Sequence, residues 1–240
     1  MGNKYMESIE KFSDSVIEAL QELQDTLKEG ETKEKGRQNI FALSLSRVRT
    51  IAQAGLVSDV FNVGDIIISD HKSGKIAWRV IGRDKRSVSL HMCHSLNERR
   101  TFGSCNNWEK SDIRSWLNDE KEGFLSGFST DDAHAISPME IITAKDGKPN
   151  KTVDRLYLLS RSEVGLGDEN GVHEGDPFPY FAISGNRAKR YLENDDPLWW
   201  WLRSPYSGSA FSVRLVSQSG ALGSGSAVSA HGVVAACTIR

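Results

Sequence analysis

Cysteines and net charge are both scarce in this chain. Cys93, Cys105 and Cys237 are its only cysteines. An odd, sparse set of this kind argues against a disulfide framework and for synthesis in a reducing cytoplasm. The 30 basic residues nearly balance the 32 acidic ones, which leaves a net charge of −2 at pH 7. Because nucleic-acid-binding domains usually carry a basic surface, we expect no nucleic-acid partner.

Long apolar runs are also missing. No segment approaches the roughly 20 apolar residues that a membrane-spanning helix needs. The opening MGNKYMESIEKF has neither the basic nor the apolar block of a signal peptide, and Met6 stands where a myristoylation motif requires Ser or Thr. We therefore expect cytoplasmic synthesis without a signal peptide and no membrane partner. The 240 residues, 38% of them apolar, suffice for one sizeable core and an appendage.

Recognisable catalytic motifs are absent as well. The sequence contains no Ser-His-Asp set, no glycine-rich phosphate loop and no carboxylate pair with a credible spacing. His91, Cys93, His94 and Cys105 are zinc-ligand types, but their spacing is not that of a structural site. A strand would also turn the two histidines to opposite faces. The sequence therefore predicts a protein that is not an enzyme and has no cofactor.

Acidic residues interleaved with glycine leave one metal alternative open. Carboxylate oxygens are calcium ligands, although acidic loops are more often simply solvated. The four residues concerned are Asp168, Glu169, Glu174 and Asp176. Asp131 and Asp132 with His134 are typical of a charged helix start rather than of a catalytic dyad. We assign no metal ligand.

The N-terminal segment, residues 1–57, has the pattern of a helical appendage. Between Met6 and Lys28, apolar residues recur at heptad a and d positions, interrupted only by Ser13: Met6, Ile9, Val16, Leu20, Leu23 and Leu27. Such a narrow stripe is typical of a coiled-coil seam, whereas a helix that packs on its own domain usually has a wider apolar face. We expect a homo-oligomer formed through this helix, with packing on the same chain as the alternative. Residues 30–36, GETKEKG, read as a linker.

The next segment combines one helix with several strands. Apolar periodicity predicts a helix over Gln38–Ala54 that ends at Gly55, a residue suited to the left-handed C-cap. Alternation then predicts a hairpin of Asp65–Ser69 with Lys75–Ile81, and a third strand over Ser87–His91.

The middle of the chain is predicted to be mixed. Ser111–Asn118 is the clearest helix, capped by its own Ser111, and a second short helix is expected over Asp131–Ile136. Turn residues predict a loop over Thr143–Val153, and Arg155–Ser160 has the composition of a core strand. Gly165–Asp195 has no periodicity, which is typical of a functional or disordered loop.

The last forty residues have the most unusual composition. Trp199, Trp200 and Trp201 need a large partner surface to be buried and mark a core. The residues that follow are almost all Ser, Gly, Ala and Val, the usual composition of a flexible linker. They lead, however, into Gly232–Ile239, which has the pattern of a buried strand. The small-residue stretch is therefore fixed at both ends.

These terminal motifs resemble those of a known group of domains. WWLRSP, the Ser/Gly-rich stretch and GVVAACTI are similar to the end of a domain common in gut bacteria and their phages. Val63–Ile68, Ile76–Ile81 and Asn106–Leu117 agree with it, so the resemblance covers about Phe61 to the end. That domain resembles the C-type-lectin-like fold of formylglycine-generating-enzyme relatives and of diversity-generating-retroelement variable proteins. Many relatives have GVRP where this chain has Gly232–Ala235.

The resemblance implies an α+β, C-type-lectin-like ligand-binding domain over residues 58–240, made of short, mostly antiparallel strands with long loops. It leaves two alternatives, a metal-dependent oxidase related to formylglycine-generating enzymes and a structural component of a phage or cell surface. The oxidase would need a pair of cysteines in its C-terminal half, where this chain has Cys237 alone. Fold likeness does not carry function by itself. A place in a virus particle is also left open.

In the variable proteins, exposed side chains of this terminal part are the ones that change. Between Tyr206 and His231, residues that the core does not need alternate with framework-like ones such as Gly208, Val213 and Leu215. The resemblance makes the following residues candidate ligand-binding positions on a hypervariable face: Tyr206, Ser207, Ser209, Phe211, Ser212, Ser219, Ala221, Ser224, Ser226, Val228 and Ser229. The ligand would be a protein or a glycan. The alternative is a pair of Ser/Gly-rich hairpins without diversification.

Overall fold

The computed structural model describes residues 38–169 and 171–240. The predicted N-terminal helix and its linker lie outside these residues. Helices and short, mostly antiparallel strands alternate along the chain, which makes the fold mixed α+β. The α-helices are α1 (Leu45–Gln53), α2 (Val57–Val60), α3 (Asp112–Asn118) and α4 (Thr130–Ala135). Within the described ranges, no helix has both the length and the apolar character to cross a membrane.

A five-stranded sheet forms the centre of the fold. Its strands, in spatial order, are β1 (Ile40–Ala42), β2 (Ile66–Ser69), β3 (Ile76–Arg83), β4 (Val88–Met92) and β14 (Ala236–Ile239). The β2–β3 hairpin and β4 confirm the strands predicted from alternation. The last strand of the chain pairs with β4 at one edge of this sheet, and all four of its residues are buried.

The two faces of this sheet pack against different partners. Trp78 of β3 lies on one face against Phe128. Arg79, one residue later, lies on the other face beside Tyr180, because successive side chains of a strand alternate. His91, paired with Arg79 across the sheet, contacts Phe181. The segment around residue 180, predicted to be only a loop, therefore covers the second face.

The predicted helix over Gln38–Ala54 is wrong at its start. Ile40 to Ala42 pair in parallel with β2, and α1 begins only after Ser44, whose hydroxyl accepts a hydrogen bond from Arg47 N at 3.3 Å. The helical end is as predicted, since Gly55 adopts φ +75° directly after the C-cap. Both β1 and α1 bury side chains in the main core, so the boundary predicted after residue 57 falls inside this packing unit.

The predicted loop over Thr143–Val153 is also wrong. Met139–Lys145 (β6) and Lys148–Asp154 (β7) form an antiparallel hairpin. Its two-residue turn consists of Asp146 and Gly147, both at positive φ (51° and 72°). That pair is the preferred sequence of a type I′ hairpin turn, so the signal for the hairpin was present in the sequence. Its many lysines and Pro149 are uncommon in strands, so the composition did not indicate β6 and β7.

The segment predicted as a core strand, Arg155–Ser160, is not a strand, although its residues from Leu156 onward are buried. Tyr157 forms a single bridge with Ala236, and the neighbouring backbone is held by a side chain. Asn118 Oδ1 accepts hydrogen bonds from Arg155 N and Leu156 N at 2.9 and 3.1 Å. The side-chain amide of Asn118 replaces the hydrogen bonds of a neighbouring strand here, because buried backbone groups require a partner. The helices predicted at Ser111–Asn118 and Asp131–Ile136 are confirmed as α3 and α4.

The C-terminal segment builds a second, three-stranded sheet. Trp200–Pro205 (β10), Ser212–Val216 (β11) and Leu222–Ser226 (β12) lie in this order. Short pairs complete the fold: β5 (Arg100–Thr101) with β13 (Ala230–His231), and β8 (Lys189–Arg190) with β9 (Pro197–Leu198).

The tryptophan cluster is buried at two of its three positions. Trp200 and Trp201 are inaccessible to solvent, and their indole N–H groups donate to Arg187 O and Arg100 O. Trp199 differs from the prediction of a fully buried cluster, since 40% of it is exposed. Trp199 lies between β9 and β10, outside both strands, whereas all six residues of β10 are buried.

We expect His91 to limit stability in mild acid. Burial, together with the charge of Lys189, lowers the pKa of this histidine well below its ordinary value. In the unfolded chain His91 takes up a proton below about pH 6.5 and in the folded chain it does not, so acid favours unfolding. The free energy of unfolding should fall by up to about 1.4 kcal/mol per pH unit for this one group.

Urea unfolding at several pH values checks this prediction. His71, His94 and His231 also have pKa values lowered by burial, so the wild-type slope contains their share. The difference between the wild type and His91→Leu isolates His91. Equal dependence on pH in the two proteins would contradict the prediction.

Candidate functional site

The eleven candidate positions lie on the surface of the C-terminal sheet and its loops. None of them is buried, and eight are exposed. Tyr206, Ser209 and Ser212 are half-buried. The framework-like residues Val213 and Leu215 are buried, whereas Gly208 is exposed, which differs from its prediction. We call the surface formed by the eleven residues the terminal face.

The β11–β12 hairpin separates this face from the core by simple alternation. Ser212 stands opposite Ser226, and Arg214 stands opposite Ser224. These four side chains share the outer surface, because directly paired residues point to the same side of a sheet. The intervening positions of β11 are the buried valine and leucine, and those of β12 are glycines. The repeated Gly-Ser pattern of β12 therefore reflects a tightly covered inner side and an open outer side.

The candidate positions are not one contiguous patch. Ser219 and Ala221 lie in the turn beyond Val216, at the end of the hairpin opposite to the other candidates. At the near end, Ala227 N donates to Phe211 O at 2.8 Å, which brings Phe211 beside Val228. These two apolar side chains are both 66% exposed. The near end thus offers the larger contact area.

We expect the two sides of β12 to respond oppositely to substitution. Tyr at Ser224 or Ser226 should change the free energy of unfolding by less than about 0.5 kcal/mol each, the range usual at exposed positions. The same limit applies to Ser207, Ser209, Ser212 and Ser229. Gly225→Ala should destabilise by about 1–3 kcal/mol, as overpacking of a core does. A methyl group there would lie 2.7 Å from Cδ1 of the buried Leu215.

Denaturation midpoints of these variants provide the measurement. Loss of soluble expression after the serine substitutions would place these residues in packed positions. If Gly225→Ala leaves the denaturation midpoint unchanged, the inner side of β12 has space for a methyl group.

A polar cleft of about 230 Å³ opens beside the near end of the terminal face. One wall is the loop from Pro205 to Ala210 and the other is the β6–β7 turn with Lys145 and Asp146. Asn106 and Asn107 close the cleft. Asn106 also holds the Pro205–Ala210 loop in place, since its Nδ2 donates to Ser209 O at 2.9 Å. The cleft therefore presents amide, hydroxyl and charged groups on anchored loops.

An ion-pair cluster lies under the centre of the terminal face. Glu169 accepts from Arg214 Nε at 2.7 Å, from Arg161 at 2.8 Å and from Ser207 N at 3.0 Å. Burial by itself would raise the pKa of Glu169, but these hydrogen bonds outweigh it and hold the pKa at about 2. The Arg214 guanidinium lies 4.4 Å from the centre of the Tyr206 ring. The cluster fixes Arg214, which lies on the outer surface of the β11–β12 hairpin, against an aromatic ring.

A second, fully buried cluster lies deeper, at Arg203. Its two terminal nitrogens donate to Glu163 at 2.6 and 2.9 Å in a bidentate pair. They also donate to Leu158 O at 2.8 Å and to Glu174 O at 2.6 Å. One guanidinium thus ties β10 to the segment before residue 163 and to the irregular segment after it. No local pattern in the sequence predicts this role of Arg203.

Glu174 links the two walls of the cleft. Its carboxylate accepts from Ala144 N of β6 at 2.8 Å and is hydrogen-bonded to the hydroxyl of Ser204 in β10. Burial raises the pKa of Glu174, against the opposing effect of Arg203 and of these hydrogen bonds. Glu174 comes from the segment Gly165–Asp195. That segment is irregular as predicted, and it supplies buried anchors.

The four acidic residues considered for calcium have partners within the protein. Glu169 and Glu174 belong to the two clusters above. Asp168 accepts from Ser162, and His173 lies between Asp168 and Asp176, at 3.5 and 3.1 Å. Nowhere in residues 38–169 and 171–240 are three or more His, Cys, Asp or Glu side chains placed to hold a metal ion.

The cysteine and histidine considered for metal or redox chemistry lie in the core. Cys237 is fully buried in β14, and burial raises the pKa of its thiol. Both ring nitrogens of His91 lack a hydrogen-bond partner among the described residues. His91 packs on Trp200 at 5.3 Å between ring centres, as a core aromatic does. These residues support the fold of the sheet.

Fold and site together define a class: a mixed α+β domain whose C-terminal loops form a polar surface over buried ion pairs. Within that class, the chain belongs to the family described as domain of unknown function (DUF6273), whose model matches residues 86–240, more than half of the chain. The match includes the terminal face, the cleft and both buried clusters. No curated protein and no solved structure matches the chain.

Proposed function

We propose that this protein is a ligand-binding module whose terminal face recognises a protein or glycan surface, on a C-type-lectin-like fold. The observation that carries the proposal is the separation of exposed and buried roles along one hairpin. The replaceable side chains point outward, while buried valine, leucine and ion pairs hold the backbone beneath them. A face built in this way can change its side chains without losing its fold, as antibody loops do on their framework.

Diversification by a retroelement is the finer part of this proposal. The candidate positions carry Ser, Ala, Val, Phe and Tyr, the mixture that the resemblance implies for targeted codons. A near-copy of the codons for residues 206–231, rich in adenine and beside a reverse transcriptase gene, is the expected genomic observation. Variation in the codons of the buried residues instead would count against it.

Two display libraries test the binding role. The first randomises the eleven positions of the terminal face, and the matched control randomises the exposed β7 residues Lys148, Lys151 and Val153. Both are first sorted for folded protein by resistance to protease and then selected on several unrelated proteins and glycans. We expect the first library to stay mostly folded and to yield binders, and the control to stay folded without yielding them.

Two outcomes would count against the proposal. If most members of the first library unfold, the terminal face is part of the core. If both libraries stay folded and yield binders equally, nothing distinguishes this face from any other exposed surface.

The N-terminal seam has a role in the same proposal. A face of small residues offers few aromatic or arginine anchors, so a single copy should bind weakly. Several copies joined through a helix can raise apparent affinity by about 10²–10⁴ without any new contact. We propose a homo-oligomer, a trimer on the analogy of the resemblance.

We expect light scattering to give an oligomeric mass for the full chain and a monomeric mass after deletion of Met1–Lys28. Leu20→Lys with Leu23→Lys should have the same effect, because charges in the seam oppose association. The matched control, Gln21→Lys with Gln24→Lys, adds the same charge outside the a and d positions and should stay oligomeric. A monomeric full chain, or an oligomer that survives the deletion, would mean that the stripe packs elsewhere.

A further inference from the structure

A second cleft, of about 210 Å³, shares no lining residue with the first. It lies between the segment around Leu125, the start of α4 and the side chain of Arg155. At its floor lie Leu125, which is buried, and Phe128, which is 93% covered, so the floor offers only a small apolar surface. The Phe128 ring is itself packed against His71 at 4.7 Å and Phe124 at 5.6 Å between ring centres. The floor is therefore a fixed surface and not a mobile side chain.

Arg155 stands at the rim of this cleft in a fixed position. Its backbone N–H donates to Asn118 Oδ1 at 2.9 Å, and its Nη1 donates to Ala133 O at 3.0 Å. Its Nε and Nη2 have no hydrogen-bond partner within the described part of the chain. A guanidinium has five donors, so most of its hydrogen-bonding capacity is unused. The Arg155 side chain is 27% exposed, so these donors are accessible to a ligand that enters the cleft.

The ion pair that Arg155 forms with Glu120 is weak. Glu120 Oε1 lies 3.8 Å from Nη1, too far for a hydrogen bond, and 69% of the Glu120 side chain is exposed. An exposed ion pair of this kind contributes little. Lys72 adds a second positive charge beside the cleft, since its Nζ lies 2.9 Å from the hydroxyl of the lining residue Ser126.

We propose that this cleft binds a small monocarboxylate with an aromatic or aliphatic body. The carboxylate would take the free donors of Arg155 side by side, the geometry in which guanidinium binds carboxylates best. The body of the ligand would lie over the floor of the cleft, against the exposed part of Phe128. A cleft of this volume is smaller than most drug-sized sites, which restricts the ligand to a single ring or a short chain. This inference is independent of the binding role of the terminal face.

Benzoate is the probe, with benzyl alcohol as an uncharged ligand of the same shape. Titration followed by amide chemical shifts in ¹⁵N-labelled protein should move signals between Leu125 and Ala133. We expect a Kd of about 1 mM for benzoate, the affinity that so few atoms can reach, and no saturable binding of benzyl alcohol.

Three variants separate recognition from surface charge. Arg155→Gln should weaken benzoate binding by at least about tenfold through loss of the charged hydrogen bonds. Glu120→Gln should tighten it by about two- to fivefold, because the competing carboxylate is gone. Arg49→Gln is the control: Arg49 donates to His134 O but does not line the cleft, so affinity should not change.

The amide spectrum of each variant without ligand shows whether its fold is intact. Saturable binding of benzyl alcohol, unchanged affinity in a folded Arg155→Gln protein, or weaker binding after Glu120→Gln would each overturn the proposal. So would benzoate shifts confined to other parts of the chain.

Discussion

Trp201→Ala should destabilise the protein by about 3–5 kcal/mol, the usual cost of removing a large buried aromatic side chain. The Trp201 indole is inaccessible to solvent and packs on Phe102 and His231, with ring centres 5.7 and 4.8 Å away. Its N–H donates to Arg100 O at 2.8 Å, so the substitution also leaves a carbonyl without its partner. Chemical denaturation monitored by circular dichroism is the measurement.

Trp199→Ala is the matched control, because it removes the same side chain from a position that is 40% exposed. The loss of stability in Trp199→Ala should be well below that in Trp201→Ala. Trp200→Ala should behave like Trp201→Ala, since Trp200 is equally buried and donates to Arg187 O. Equal midpoints for all three variants and the wild type would refute the assignment of Trp200 and Trp201 to the core.

Arg203→Met should cost about 3–5 kcal/mol, the loss typical of breaking a buried ion pair by removing one partner. Arg203 is 1% exposed, and its bidentate pair with Glu163 is surrounded by buried backbone. Without the guanidinium, the Glu163 carboxylate remains buried without compensation. The carbonyls of Leu158, Ile142 and Glu174 lose a donor at the same time.

A second substitution separates charge from packing in this prediction. Glu163→Gln in the Arg203→Met background removes the uncompensated charge, so the double variant should be more stable than the single one. Arg190→Met serves as a surface control. Arg190 is exposed and pairs with Asp195 at 3.4 Å, so its loss should cost about 0.5 kcal/mol or less. A single Arg203→Met variant as stable as that control would mean that the buried pair contributes nothing.

The substitutions at Trp201 and Arg203 also bear on the terminal face. Both residues lie in β10, directly before the loop that carries Tyr206 and Ser207. If they hold this loop, their replacement should disturb the cleft before the rest of the molecule unfolds. Amide exchange of Ser207 compared with that of Leu90 in the central sheet would show the order.

Local patterns in the sequence were sufficient for several elements. The alternation in Ile66–Ser69 and Ile76–Arg83 predicts their strands, because one face of a sheet is buried and the other is less so. Ser111 predicts the start of α3, since its hydroxyl accepts from Arg114 N three residues later. The small residues of the terminal face were predicted to be exposed from the same kind of alternation. In each case the information lies within a few residues of the element.

Long-range pairing decided the rest. Ile40–Ala42 form a strand and not the start of a helix, because β2 provides backbone partners 26 residues away in the chain. Arg203 is buried because Glu163, 40 residues earlier, compensates its charge. The sequence around Glu169 and Glu174 is typical of a solvated acidic loop. No local pattern predicts that Arg214 and Ser204 contact these two residues. Side-chain type and spacing determined β2, β3, the cap at Ser111 and the exposed serines. The tertiary structure decided which charges are buried, since only packing brings their counter-charges within reach.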